Sequence, residues 1–463
     1  MSLERSFAVL LVSCCWLACE EDTTWHGAGV WGTYGGALNI TCTPSAGGNP
    51  NTGGGGISGA RDAASETPAG AAGEAPQTDA GGVRFVPGRV AARSVPPLDC
   101  GPNGVAIENA GPPLNRVNYV LLGDGYDARS VNRAFLAHIA EAMKRRFSTP
   151  TGEPYGRYRK FVNICALKVP SASDGIGNGP TAFGCNGSDT TRLAACNTSA
   201  AEAALDAELP ETFEVDWHAI MLNSERPWGT GSTWALWSAA NEDAPGIALH
   251  EGGHGFHHLA DEYTELQDEC EEFEEVNTTA DAIDTNGKWK HWLGYDAVDA
   301  TGMQCIFQGS GRCRFSASQF RSSNNSMMNS LYSDAKSSSF NAVSREKIIM
   351  DIWRRVRPID GIDPEPGEVL PVSTLRLELV DENVISVDWS VDGILLAKDG
   401  GPSYDLSASR LPPGTHTIAA RVYDNADETW VRARNGCGNR RLCWNRDAWK
   451  NSEQVVTWTV TVP

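Results

Sequence analysis

His250 and His254, four residues apart with Glu251 directly after the first, constrain this chain more than any other feature. On an α-helix such a pair lies one turn apart on the same face, so the two imidazoles can grip one metal ion. Glu251 sits beside the first ligand, where a carboxylate can take a proton from a water held by that ion. Ile247, Ala248 and Leu249 lead in as a short apolar run, the sign of a buried helix beneath a cleft. Gly252 and Gly253 cost a helix about 1 kcal/mol each relative to alanine. Their use is therefore close approach of another backbone or of a substrate. The competing reading, a solvated histidine-rich helix, requires neither Glu251 nor the apolar lead-in.

A catalytic zinc ion takes three protein ligands and one water. Asp261 follows His250 by eleven residues. On an unbroken helix it would stand roughly 10 Å beyond His254 along the axis, too far to share an ion. The helix must therefore end soon after His254 and let the chain fold back, with Gly255 as the permissive residue for the turn. Asp261 is the first candidate for the third ligand. Glu262, His257 and His258 compete with it, although the two histidines follow His254 so closely that a supporting place suits them better.

A chain of 463 residues has room for two or three domains, and its net charge of −20 with a pI near 4.9 argues against nucleic acid and anionic membranes as partners. Residues 1–19 read as an export signal, with Arg5 as the basic end and Phe7 to Trp16 as the apolar stretch. Leu11-Val12-Ser13-Cys14 and Leu17-Ala18-Cys19 both resemble bacterial lipoprotein cleavage boxes. The expected location is accordingly an outer-membrane or cell-surface lipoprotein held only by an N-terminal lipid, with plain secretion as the alternative. Thirteen cysteines in an exported chain imply disulfides. Cys185/Cys196, Cys305/Cys313 and Cys437/Cys443 are spaced to staple single loops, leaving Cys42, Cys100, Cys165 and Cys270 for longer links.

Residues 20–94 read as a low-complexity tether, rich in Gly, Ala and Pro between Ser45 and Gly82. Residues 95–357 read as an α/β domain with a mixed sheet and the metal helix. Strands are expected at Val117–Leu122, Phe161–Val169 and Trp217–Asn223, and a helix capped by Ser130 with Phe135, Ile139 and Met143 on its buried face. Thr233–Trp237 is expected to be the sheet edge that pairs with an extended peptide. Trp289, His291 and Trp292 suit packing beneath the cleft. Residues 358–372 read as a proline-rich linker, and residues 373–463, with alternating apolar positions and Gly/Pro turns, as a small all-β sandwich.

The stretch His250-Glu251-Gly252-Gly253-His254-Gly255-Phe256-His257-His258-Leu259-Ala260-Asp261-Glu262-Tyr263 resembles the signature of the bacterial IgA-peptidase family of zinc metallopeptidases. The similarity extends to Leu121-Leu122-Gly123-Asp124-Gly125-Tyr126, Lys288-Trp289-Lys290 and Asn325-Ser326-Met327-Met328. The resemblance implies a zincin-like, metzincin-like fold with Zn2+ on His250, His254 and Asp261 and with Glu251 as catalytic base. Tyr263, Glu262 and His257, with Met327 and Met328 in a methionine-containing turn, are the candidates for supporting places. Members commonly carry small residues where this chain has His257 and His258.

The function expected from these readings is an exported zinc endopeptidase acting on a protein or peptide substrate. The rival is a surface-binding or adhesion protein with a structural or vestigial zinc site, which would have no need of Glu251. None of these motifs sets an oligomeric state.

Overall fold

The computed structural model describes residues 83–89, 95–263, 275–281, 288–297, 301–308, 319–329, 338–432 and 448–463. The leader, most of the tether, and Cys42, Cys270, Cys313, Cys437 and Cys443 lie outside the described residues. The chain divides into two compact units. The first holds Val95–Val356 with Asp427–Trp449, and the second holds Arg357–Ala426 with Lys450–Pro463 and an upstream piece.

The first unit is built on a six-stranded sheet of β1 (Gly104–Glu108), β2 (Val117–Asp124), β3 (Val162–Leu167), β4 (Trp217–Leu222), β5 (Gly229–Gly231) and β6 (Ala235–Ser238), in the order β1-β3-β2-β4-β6-β5. The inner pairs β3/β2, β2/β4 and β4/β6 are parallel, and the outer strands β1 and β5 are antiparallel. Parallel strands covered on both faces read as continuous apolar runs, and β2 is buried at every position. The strand expected as the edge, Thr233–Trp237, becomes the inner strand β6. The edge is the Gly229-Thr230-Gly231 segment.

Alternate residues of each strand serve different faces. Val120, Leu122, Leu167, Ile220 and Leu236 join Ala201 and Leu205 of α2 (Thr198–Glu208) in one core. On the other face the α3 helix (Ala244–Gly255) lies against β5 and β6 and packs on α1 (Ala134–Ser148). Phe135, Ile139 and Met143 of α1 are buried as their spacing requires. Ser130 does not cap this helix, because it opens a short 3-10 turn instead. The Asp127 carboxylate accepts the backbone N–H groups of Arg129 and Ser130 at 2.9 and 2.7 Å.

Between sheet and helices lies an aromatic layer. Tyr119 stacks on Trp217 at 4.0 Å between centroids, and Trp217 stacks on Phe256 at 5.4 Å. The basic end of α1 suits the helix dipole in sequence, yet Arg146 turns inward. Its guanidinium sits 4.3, 4.8 and 5.4 Å from the ring centres of Trp217, Tyr155 and Tyr119 and donates to the Ala248 carbonyl of α3 at 3.0 Å. A flat, weakly hydrated cation suits such a cage, where an ammonium would not.

A fourth helix, α4 (Ala342–Arg355), starts at Asn341, whose side chain accepts the Ser344 N–H at 2.9 Å. Trp289 and Trp292 are buried with Ile306, Phe320 and Val343, and His291 Nε2 and Trp292 Nε1 meet Glu346 of α4 at 2.7 and 3.0 Å. These residues pack, as their sequence suggests. Of the cysteine staples, Cys185–Cys196 is present, Cys100 bonds Cys165, and Cys305 is disulfide-bonded.

The second unit is all-β. One sheet is β7 (Ile359–Asp363), β9 (Thr374–Leu379) and β12 (Ser403–Asp405), in the order β7-β9-β12. The other runs β8-β14-β13-β10-β11, from β8 (Gly367–Val369), β10 (Ile385–Val391), β11 (Ile394–Ala397), β13 (Gly414–Asp424) and β14 (Glu453–Val462). The linker expected over 358–372 therefore contains two strands, β7 and β8. Part of the expected tether is also ordered: Phe85 stacks with Tyr404 and Trp389 at 5.1 and 6.3 Å between centroids.

Arg146→Ala removes the cation from its aromatic cage, leaves a cavity and takes away the second donor to the Ala248 carbonyl. It is expected to cost about 3 kcal/mol, read as a lower urea midpoint by tryptophan fluorescence. Arg146→Lys is expected to recover little of that loss.

Candidate metal centre

The helix α3 lays Glu251 and His254 against β5, with His250 beside His254, and its close neighbours explain its glycines. A Cβ on Gly252 would sit 2.6 Å from the Trp217 ring, and one on Gly253 would sit 2.8 Å from Met328 Sδ. Both glycines serve packing against protein. Gly255 remains helical, and a Cβ there would lie 3.2 Å from the Ser232 carbonyl, so a side chain would press that backbone aside by a few tenths of an ångström. The turn expected at Gly255 falls three residues later, at His258, whose φ is +51°. Histidine is tolerated in this left-handed backbone at a cost of about 1 kcal/mol.

Two backbone bonds wrap the chain over the helix end, His258 N–H to His254 O at 3.1 Å and Leu259 N–H to Gly253 O at 3.0 Å. The wrap returns Asp261 to the helix. Its Oδ1 lies 3.0 Å from His250 Nε2 and 3.1 Å from His254 Nε2, and the two Nε2 atoms are 3.1 Å apart. These three residues are the group of metal-competent side chains among the described residues.

The hydrogen bonds behind the rings set their tautomers. His250 Nδ1 donates to the Met327 carbonyl at 2.9 Å, and His254 Nδ1 donates to the Leu259 carbonyl at 2.5 Å. Each ring therefore commits Nδ1 to a carbonyl and turns Nε2 to the centre. The two Nε2 atoms and a carboxylate oxygen thus converge on one point. Their spacing approaches the roughly 3.3 Å edge of a tetrahedron around an ion with ~2.0 Å bonds, and the donor set suits zinc. Burial depresses the His254 pKa, but the charge and hydrogen bond of Asp261, aided by Glu251, override it and lift the value to about 9. The centre favours positive charge.

Glu251 is buried against the edge strand. A Cβ on Gly229 would collide with its carboxylate, and one on Gly231 would fall 2.8 Å from Glu251 Oε2 and 2.5 Å from His254 Cβ. Tyr263 stacks beside His250 at 6.3 Å between centroids and 27° between planes. Met327 and Met328 are fully buried below the helix. Met327 serves through its backbone carbonyl, and Met328 through contact with Gly253.

Glu262 is not a ligand. It is completely buried and accepts from Ser326 Oγ at 2.5 Å, Asn277 Nδ2 at 3.0 Å and Asn341 Nδ2 at 3.0 Å, while its N–H donates to the Met328 carbonyl at 2.8 Å. Burial pushes its carboxyl pKa up, against the pull of these donors. It ties the ligand loop to the methionine turn and to the start of α4. His257 is not a ligand either. Its Nδ1 meets Asp351 Oδ2 at 2.9 Å, beside Lys347, and burial depresses its pKa to about 4. His258 is exposed and acts only through its backbone. His218 packs on the Trp234 ring, 3.9 Å between centroids. Sequence reasoning missed the Leu259 carbonyl, Gly229 and Gly231, and the partners of Glu262. Only the Gly-Thr-Gly run carried a readable signal, its poor fit to a strand.

Glu262→Gln replaces an acceptor with an amide facing three donors. It is expected to weaken zinc affinity about 10- to 100-fold through Asp261 and His250, measured by competition with a chelator. His258→Gly is expected to keep zinc affinity and stability, whereas His258→Val is expected to lower the thermal midpoint, since a β-branched residue resists positive φ.

No curated protein matches the chain. Residues 105–301 match the family IgA Peptidase M64, a span that contains β2 through α3, both histidines, Glu251, Asp261, Glu262 and Tyr263, and stops short of the methionine turn. The match over that segment supports membership of the IgA peptidase M64 family.

Proposed function

We propose that the chain is an exported, zinc-dependent peptidase. The observation that carries this reading is the convergence of His250 Nε2, His254 Nε2 and Asp261 Oδ1 within 3.1 Å, with both Nδ1 atoms engaged behind. These residues would hold the ion. Zinc, when bound, polarises a carbonyl and lowers the pKa of water toward about 7. Glu251 takes the proton of the attacking water and delivers it to the departing amine. Its burial between α3 and two glycines of β5 keeps the carboxylate aimed and excludes bulk water. Tyr263, stacked on His250, restrains that ring. The edge strand β5 offers backbone groups to an extended peptide beside Glu251.

Export is supported by the leader-like residues 1–19 and by Cys100–Cys165 and Cys185–Cys196, bonds that persist in oxidising compartments. A lipid anchor at Cys14 or Cys19 is the form of export we favour.

Glu251→Gln is expected to lower kcat by about 10²- to 10⁴-fold at unchanged zinc content. Asp261→Asn is expected to lose zinc on dialysis. Both are read by metal analysis alongside cleavage of a proteome-derived peptide library. Turnover by Glu251→Gln equal to that of the parent would overturn the mechanism.

A further inference from the structure

The outer edge of β5 is only half open. Residues of an antiparallel strand alternate between turning N–H and C=O toward the partner and turning them away. Ser238 N–H donates to Trp228 O at 2.9 Å, and Ser232 N–H donates to Trp234 O at 3.2 Å. Trp228, Thr230 and Ser232 therefore face β6, and Gly229 and Gly231 turn their backbone groups outward.

At Gly229 the outward place is already filled by this chain. Its N–H donates to the Arg192 carbonyl at 3.0 Å, and Leu193 lies opposite it in a parallel bridge. The Thr230 hydroxyl clamps the same segment, 2.8 Å from the Ala194 carbonyl and accepting the Ala194 N–H at 3.0 Å. Trp228 Nε1 adds a bond to Asp189 Oδ1 at 3.1 Å, and the Cys185–Cys196 disulfide closes the loop that carries these residues. Nothing among the described residues takes the outward groups of Gly231, which lies against Glu251 and His254.

We propose that Arg192–Ala194 is a built-in stop that ends the substrate cleft on one side. An extended peptide pairs with Gly231 and meets Leu193 two residues further along, about 7 Å away. The proposal rests on the peptidase reading and narrows it. The enzyme takes bonds within about two residues of one end of an extended segment, or beside a bend, and accepts a longer chain only on the other side.

The test extends a cleavable peptide independently on each side of a fixed scissile bond. The kcat/KM of the wild type is expected to rise with each added residue on one side and to stop rising, or fall, past about two residues on the other. Thr230→Val keeps the side-chain shape while releasing Ala194, and Cys185→Ser/Cys196→Ser opens the loop. Either is expected to improve peptides extended on the blocked side about tenfold relative to short ones, the worth of roughly two backbone hydrogen bonds. Hydrogen exchange at Arg192–Ala194 reports whether the segment was released. The same peptides are titrated against Glu251→Gln, so that the length limit is read from affinity without turnover. Equal dependence on length on both sides, or an asymmetry unchanged in a variant whose segment is released, overturns the stop. Absence of cleavage by the zinc-loaded wild type overturns the peptidase reading, while the affinities still decide on the stop.

Discussion

Two imidazole Nε2 atoms and a carboxylate oxygen are held 3.0 to 3.1 Å apart, and much of the first unit serves to hold them there. The restraint comes from behind. Each ring donates to a carbonyl belonging to a different loop, Met327 for His250 and Leu259 for His254. The wrap that returns Asp261 is the same wrap that presents the Leu259 carbonyl. Bringing in the third ligand and fixing the second ring are therefore one structural event. Ligand atoms already in place lower the ordering cost of placing a cation among them.

Two buried carboxylates near this centre are satisfied in opposite ways. Asp351 lies among cations: Lys347 and Arg354 bond its two oxygens at 2.5 and 2.9 Å, and His257 approaches at 2.9 Å. Burial raises its pKa, but these neighbours bring it below the usual carboxylate range. Glu262 is bonded by two asparagines and a serine, and burial leaves its pKa raised. The ionic cluster fastens the end of α3 to α4. The neutral donors around Glu262 come from three separate loops, so one carboxylate sets the mutual register of the ligand loop, the methionine turn and the α4 start. A buried charge is retained at such cost where it specifies geometry that apolar packing leaves loose.

What was legible in the sequence was periodic or covalent. The spacing of His250 and His254 fixed their shared face, and reach along a helix axis required the chain to reverse before Asp261. The closeness of Cys185 and Cys196 identified their bond. The reversal was assigned to Gly255 because glycine tolerates left-handed backbone, yet Gly255 stays helical close to the Ser232 carbonyl, and His258 takes the positive φ. Thr233–Trp237 was expected at the edge from its place just before the metal helix; burial of Ala235–Ser238 at every position instead marks an inner strand. The true edge, Gly229-Thr230-Gly231, lacks strand propensity, so its composition stands out but does not read as a strand. The Met327 and Leu259 contributions are backbone carbonyls, which no side-chain pattern encodes. The β7 and β8 strands hid among prolines that sit at edges and turns.

The glycine edge also shows why the cleft and the stop belong together. A strand of two glycines around one threonine loses more backbone entropy on ordering than a strand of ordinary residues. It is used here because side chains would collide with Glu251 and His254. Such a strand needs pairing on both sides to stay in place. On one side β6 supplies it, and on the other Arg192–Ala194 does so at Gly229, with Thr230 as the clasp. The segment that limits the cleft therefore also stiffens the backbone against which the Glu251 carboxylate rests. Opening it fully would lengthen the pairing edge and loosen the wall behind the catalytic base at the same time. Selectivity for short reach on one side thus follows from the need to hold a glycine strand against a buried acid.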